Sequence, residues 1–237
     1  MINWTKTSLK EHSSGSICDA YDLFGKREDI DVKVLMLNGS AKTGGNTASA
    51  LKEAGKILEE SGIEYEIFQL GGGPIRDCIG CNQCNENGCV FGDDKVNEFV
   101  AKARDCDGFV FGSPVYYAHP SGRILSFLDR VFYSSSDAFS GKPGFVLAVA
   151  RRGGTTASVD ALGKYFSIAG MLNVGTTYWP ILHGHTPGEA AQDEEGMQTI
   201  RNAARYLAWI LKCIQSADEN GIDRPQIEHT YMTNFIR

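Results

Sequence analysis

The chain has 237 residues, 42% of them hydrophobic and 22% charged, with 23 Lys+Arg against 29 Asp+Glu for a net charge of −6. That balance excludes a disordered chain, a collagen-like repeat and a coiled coil, and the length suits one doubly wound domain with appendages. An isoelectric point near 5.4 lacks the positive field of a nucleic-acid binder, and no apolar run approaches the ~18 residues of a spanning helix, so neither partner is expected.

Residues 1–31 are polar, with Ser13-Ser14-Gly15-Ser16 at their centre, and are expected to form an arm ahead of a domain spanning 32–237. Lys6, Lys10, Glu11, Lys26 and Arg27 break up any leader-like apolar stretch there, which favours a cytoplasmic protein. From Val32 the pattern becomes regular. Val32 to Leu37 is a nearly continuous apolar run, as a strand buried on both faces would be, and it ends in the glycine-rich loop Asn38 to Thr47. A helix follows with Leu51, Ala54 and Leu58 on one face, stopped by Gly62. Glu64 to Phe68 is a second strand. Residues 71–92 make a long loop, and Val96 to Ala103 a short helix.

Strand three, Gly108 to Phe111, leads into Gly112-Ser113-Pro114, and the helix over 121–132 carries Leu125, Leu128 and Phe132 at helical spacing. Phe145 to Val149 is strand four, Thr156 to Ile168 a helix, and Met171 to Tyr178 contains strand five. A last helix from about Asp193 to Cys213 bears the stripe Met197, Ile200, Ala204, Leu207, Leu211 and Ile214, leaving a tail from about 216. Helices alternating with continuous apolar strands predict an α/β fold: a doubly wound, five-stranded parallel sheet with helices on both faces.

Ligands of such sheets bind beyond the carboxyl ends of the strands, and three loops there are informative. The first, Gly39 to Thr47, offers glycine amides, the hydroxyls of Ser40, Thr43 and Thr47, and the Lys42 cation near a helix N-terminus. Unpaired N–H groups and the positive end of the helix dipole converge on such a place, which suits a phosphate. Neither a P-loop nor dinucleotide glycine spacing is present, so a terminal monophosphate is expected. The second loop, Ser113-Pro114-Val115-Tyr116-Tyr117-Ala118-His119, sets aromatic faces where a flat heteroaromatic ligand would lie. The third, Arg151-Arg152-Gly153-Gly154, brings guanidinium groups and amides to the end of strand four, suited to a ring on which negative charge develops.

These residues resemble the flavodoxin-like NADPH-dependent FMN reductases, and most of all the iron–sulfur flavoproteins among them. The resemblance rests on Asn38-Gly39-Ser40 through Asn46-Thr47, on Gly112 to Tyr116 and on Arg151 to Thr156, and extends to Tyr178-Trp179 and His183-Gly184. It implies a flavodoxin-like strand order, 2-1-3-4-5, and FMN with its phosphate on Ser40, Asn46 and Thr47 beside Lys42. The flavin ring would lie against Ser113, Pro114, Val115 and Tyr116 and the Arg152-Gly153-Gly154 turn. The implied activity is electron transfer from NAD(P)H through FMN to a quinone, an azo or nitro compound, a flavin or a redox protein, with an iron–sulfur flavoprotein or flavodoxin-type electron carrier as the alternative. No side chain is then a required acid or nucleophile. Tyr116, Tyr117 and His119 are expected to shape the substrate face.

Cys78, Cys81, Cys84 and Cys89 crowd one loop that also holds Gly80 and Gly88. Without an export signal, such residues are expected as ligands or reactive thiols rather than disulfides. Four soft ligands at this spacing can surround one iron–sulfur cluster or one zinc ion. They also match the compact motif of the iron–sulfur flavoproteins, which implies a [4Fe–4S] cluster, while zinc and free thiols remain open readings. Cys18, Cys106 and Cys213 have no such company and are expected to pack. Trp209 and Ile210 lie off the main stripe of the last helix, and Tyr178 to His183 is very apolar for a loop, so a homodimer or homotetramer is expected.

Overall fold

The central lanes of the sheet are the stretches of chain with no polar face. In the computed structural model, which describes residues 32–228, 230, 231, 233 and 235, β1 (Lys33–Asn38) is buried from Val34 onward and β5 (Pro143–Ala150) throughout. β3 (Gly108–Tyr116) is buried as far as Ser113 and emerges over Pro114 to Tyr116. Strands covered on both faces have no reason to alternate, which accounts for their continuous apolar runs. β2 (Glu64–Gln69) is only partly covered and forms one edge. The arm expected over residues 1–31, with Cys18, lies outside the described residues.

The strand order is β2-β1-β3-β5-β6, all parallel, in register such that Leu37 stands level with Phe111 and Phe111 with Val146. This is the expected 2-1-3-4-5 arrangement, realised in a seven-stranded rather than five-stranded sheet. The fifth lane is divided. β6 (Leu172–Asn173) pairs with the start of β5, and β7 (Ile181–His183) pairs with its end. Pro180 stands just before β7, and a proline has no N–H with which to continue a ladder. β4 (His119–Pro120) exists because β3 overshoots its neighbours and the chain folds back on it, antiparallel.

α1 (Asn46–Glu60) and α5 (Glu194–Glu219) pack together on one side of the sheet; α2 (Val96–Arg104), α3 (Gly122–Ser135) and α4 (Thr155–Ile168) cover the other. The second side is built of phenylalanines. Phe99 meets Phe68, Phe127 and Phe139 at centroid distances of 5.1, 5.3 and 6.4 Å, and Phe111 meets Phe166 at 5.0 Å. Such pairs contribute about 0.5–1.5 kcal/mol each beyond their burial, enough to fix α2, α3 and α4 on the sheet. α5 runs on past Cys213 to Glu219, where Asn220 and Gly221 (φ 70°) end it, so the tail starts later than expected. Cys106 is buried, and its thiol pKa is pushed up to about 11 by that burial; Cys213 lies exposed on α5 rather than packed.

Candidate functional site

Residues from the carboxyl edges of β1, β3 and β5 meet around a cavity of about 220 Å³. Its floor is the start of α1. Gly45 stands at the N-cap and no side chain caps the helix, so the first-turn amides face the cavity with the positive end of the dipole. Ser40, Lys42, Asn46 and Thr47 line it beside Gly45, with Thr47 buried and Lys42 exposed. The loop is held from below by a closed set of hydrogen bonds. Asn38 donates to Gln69 Oε1 at 2.6 Å, Gln69 donates to the Ser40 carbonyl at 2.6 Å, and the Ser40 amide donates to Asn38 Oδ1 at 3.1 Å.

Pro114, Val115 and Tyr116 make the second wall and Val149, Ala150 and Arg151 the third. The hairpin between β3 and β4 turns at Tyr117 and Ala118, both at positive φ (49° and 66°), as a primed turn requires. Neither residue favours that conformation, so the turn is strained, and Tyr117 is left 99% exposed at its tip. Gly154 must be glycine: its φ is 94°, and a Cβ there would lie 2.4 Å from Ala118 Cα. The second and third loops therefore touch through it.

The fourth wall, Gly184, His185 and Pro187, comes from the chain after β7. Asn46 binds it to α1: its amide donates to the Thr186 carbonyl at 3.0 Å and accepts from Gly188 N at 2.9 Å and Ala190 N at 3.2 Å. A Cβ at Gly184 would strike that amide nitrogen at 2.8 Å. Glu189 closes the same turn, accepting from Thr186 Oγ1 at 2.6 Å and from the amides of His185 and Thr186 at 2.5 and 2.9 Å. Those donors, Thr186 first, hold its carboxyl down at about 2.

Of the residues singled out in the sequence, Ser40, Lys42, Asn46, Thr47, Pro114, Val115 and Tyr116 line the cavity. Ser113 stands behind it, its hydroxyl donating to the Pro114 carbonyl at 2.8 Å and accepting from Ser121 N at 3.1 Å. His119 is exposed with Nδ1 2.7 Å from the Pro120 carbonyl. Arg152 and Gly153 lie at the exposed rim, and the Arg152 carbonyl accepts from His183 Nε2 at 3.1 Å. Arg151 carried the same signal as Arg152, and a loop has no periodicity to separate them. His185 and Pro187 had no signal, since their placement depends on Asn46, more than a hundred residues earlier.

Cys78, Cys81, Cys84 and Cys89 line one small cavity together with Phe91, Arg130 and Tyr133. The Cys84 thiol is pushed up by its burial and then by Cys89, Cys81 and Cys78 around it. Cys89 is the anchored member, its N–H and carbonyl bonded to the Asn97 side chain at 2.9 and 2.8 Å. Among the described residues, no group of three or more His, Cys, Asp or Glu is drawn together closely enough to hold a single metal ion. Nor is any helix long and apolar enough to cross a membrane.

Residues 32–186 match the family described as NADPH-dependent FMN reductase. An iron–sulfur flavoprotein of Methanocaldococcus jannaschii is 33% identical over 194 residues, which cover 78% of this chain and 100% of that protein. An FMN-dependent NADPH-azoreductase of Staphylococcus saprophyticus is 32% identical over 179 residues, 75% of this chain and 85% of the other. Among solved structures, a flavone reductase superposes with a TM-score of 0.60 at 18% identity over 78% of this chain and 65% of that one. An archaeal flavodoxin gives 0.51 at 13% identity over 76% and 98%. These last two show a shared flavodoxin-like fold.

Proposed function

The chain belongs to the NADPH-dependent FMN reductase family, in its iron–sulfur flavoprotein-like subgroup, and from that premise we propose an oxidoreductase that takes electrons from NAD(P)H through FMN and passes them to a quinone, azo or nitro compound, free flavin or redox protein. The observation that carries this is the cavity at the sheet's carboxyl edge, with an uncapped helix N-terminus as its floor. At about 220 Å³ it is smaller than the ~300–1,000 Å³ of sites that enclose a whole ligand, so it suits the phosphate end of a larger one.

The residues present fit FMN. The α1 amides and the hydroxyls of Ser40 and Thr47 would hold the phosphate, with Lys42 and Arg151 supplying charge at the rim. Asn46 also lines this end of the cavity; one N–H and the oxygen of its amide fix the wall at residues 186–190, and its second N–H would serve the phosphate. Pro114, Val115, Tyr116 and the Arg152-Gly153-Gly154 turn would flank the flavin ring, and Tyr116, Tyr117 and His119 would meet the nicotinamide or acceptor. When bound, FMN supplies hydride acceptance and release of electrons in pairs or singly. Since the cofactor carries that chemistry, these side chains orient, exclude water and balance charge.

The four cysteines support a second route. Four soft thiolate ligands lining one small cavity are the donor set an iron–sulfur cluster takes, and a relative at 33% identity is named an iron–sulfur flavoprotein. Single electrons would then leave through Cys78, Cys81, Cys84 and Cys89 to a protein acceptor. The exposed Tyr178 and Trp179 support a homodimer or homotetramer. Anaerobic purification, flavin extraction and turnover of NADPH and NADH with several acceptors tests the reading. FMN and nicotinamide oxidation are expected; FAD, or no flavin after reconstitution, would overturn it.

A further inference from the structure

The cysteine loop is held by a guanidinium that neither the flavin cavity nor the sheet needs. Arg130 projects from the middle of α3 and, at 1% exposure, is the largest fully buried side chain described. Each of its three nitrogens donates to the loop: Nη1 to the Arg76 carbonyl at 3.3 Å and to Asp94, Nη2 to the Phe91 carbonyl at 2.8 Å, and Nε to Cys89 Sγ at 3.3 Å. Asp94 is nearly as buried and accepts from Val96 N at 3.2 Å, so the charged pair is fixed from both sides. An apolar residue would fill this volume without the desolvation cost of a buried pair, so packing alone does not account for an arginine.

We propose that Arg130 is a positioning residue for the cysteine loop's redox centre: its Nε–H holds the Cys89 thiolate in place and raises the reduction potential of the cluster that Cys78, Cys81, Cys84 and Cys89 bind. This rests on the cluster reading above. An N–H donated to a ligand sulfur withdraws electron density and favours the more negative, reduced state, a recognised control of cluster potential. The step is the uptake of one electron, with no bond made or broken; in the experiment the electron comes from a mediator-buffered reductant.

Two variants remove the Nε–H while keeping the net charge of the pair. Arg130→Lys keeps one cation opposite Asp94, and the double variant Asp94→Asn with Arg130→Met keeps none on either side. Each is purified anaerobically alongside the natural protein, assayed for iron, sulfide and FMN, and titrated by electron paramagnetic resonance. Both should keep iron and FMN and show a lower midpoint potential, by roughly tenfold in the equilibrium constant for reduction, about 59 mV for one electron. Unchanged potentials with full iron would overturn the proposal. So would loss of iron with FMN retained, which would assign Arg130 to building the loop alone. Metal-free natural protein after anaerobic reconstitution would overturn the cluster reading and this proposal together, whereas the first two outcomes leave the cluster reading standing.

Discussion

Thr47 is buried, with its methyl packed toward Gly112, where a Cβ would come within 3.0 Å of it, while the residue still lines the cavity at the first turn of α1. Replacing it by Val keeps the shape and removes only the hydroxyl. If that hydroxyl meets the FMN phosphate, affinity falls by about 1–2 kcal/mol, roughly five- to thirtyfold in Kd. Fluorescence titration of the apoprotein measures this, and an unchanged Kd would remove Thr47 from the phosphate site. Residue types were enough to bring Ser40, Lys42 and Thr47 to one cavity, because hydroxyls, glycines and a lysine before a helix have few other uses. Side-chain type told only part of the story at Asn46. It lines the cavity as expected, but its amide also holds Thr186, Gly188 and Ala190, partners invisible in a local reading.

At the level of elements, the turn over residues 184–190 shows how a loop without secondary structure becomes a wall. Its geometry is fixed by the Glu189 carboxylate and its donors, Thr186 first. The folded carboxyl lies at about 2, below its ordinary 4.5, so the clasp contributes fully above the ordinary value and is lost as pH falls toward about 2. The thermal midpoint of the natural protein should therefore exceed that of Glu189→Gln by a constant margin above about pH 5, narrowing at lower pH. At pH 7 the Gln variant should also release FMN faster in stopped-flow fluorescence. Equal release rates would show that the turn does not close the cavity. The helices were readable from their periodicity, but not what they grip. α3 holds the cysteine loop along one face: Arg123 donates to the carbonyls of Gly72 and Gly73, Arg130 to those of Arg76 and Phe91, and Tyr133 to Asn82. Its N-cap Ser121 donates to the Gly39 carbonyl of the first loop. One helix thus ties both candidate redox sites together, through contacts that no spacing rule encodes.

For the whole molecule, a parallel sheet covered by helices was legible because continuous apolar strands and short crossovers leave few topologies, and the family resemblance supplied the strand order. The divided fifth lane was not legible, since two- and three-residue strands carry no periodic signal. That lane is also where the surface is least finished. Ile168 ends α4 at 85% exposure, Leu172 in β6 is exposed, and Tyr178 and Trp179 stack edge-on at 4.6 Å beside a groove lined by Val159, Val174 and Pro180. β6 and β7 cover β5 only in part, and residues 174–180 between them add no strand to the edge. An apolar surface of this kind, gathered on one sheet edge, is uncommon on a monomer. A two-fold axis would set the same patch of a second copy against it, burying the aromatic pair of each and covering both short strands. Sedimentation velocity at micromolar concentration should then show a dimer or tetramer, and Trp179→Glu, which places a charge in the patch, should shift it to monomer with its FMN retained. A natural protein that sediments as a monomer would exclude the assembly, and an unshifted Trp179→Glu would move the interface to Trp209, exposed on the outer face of α5.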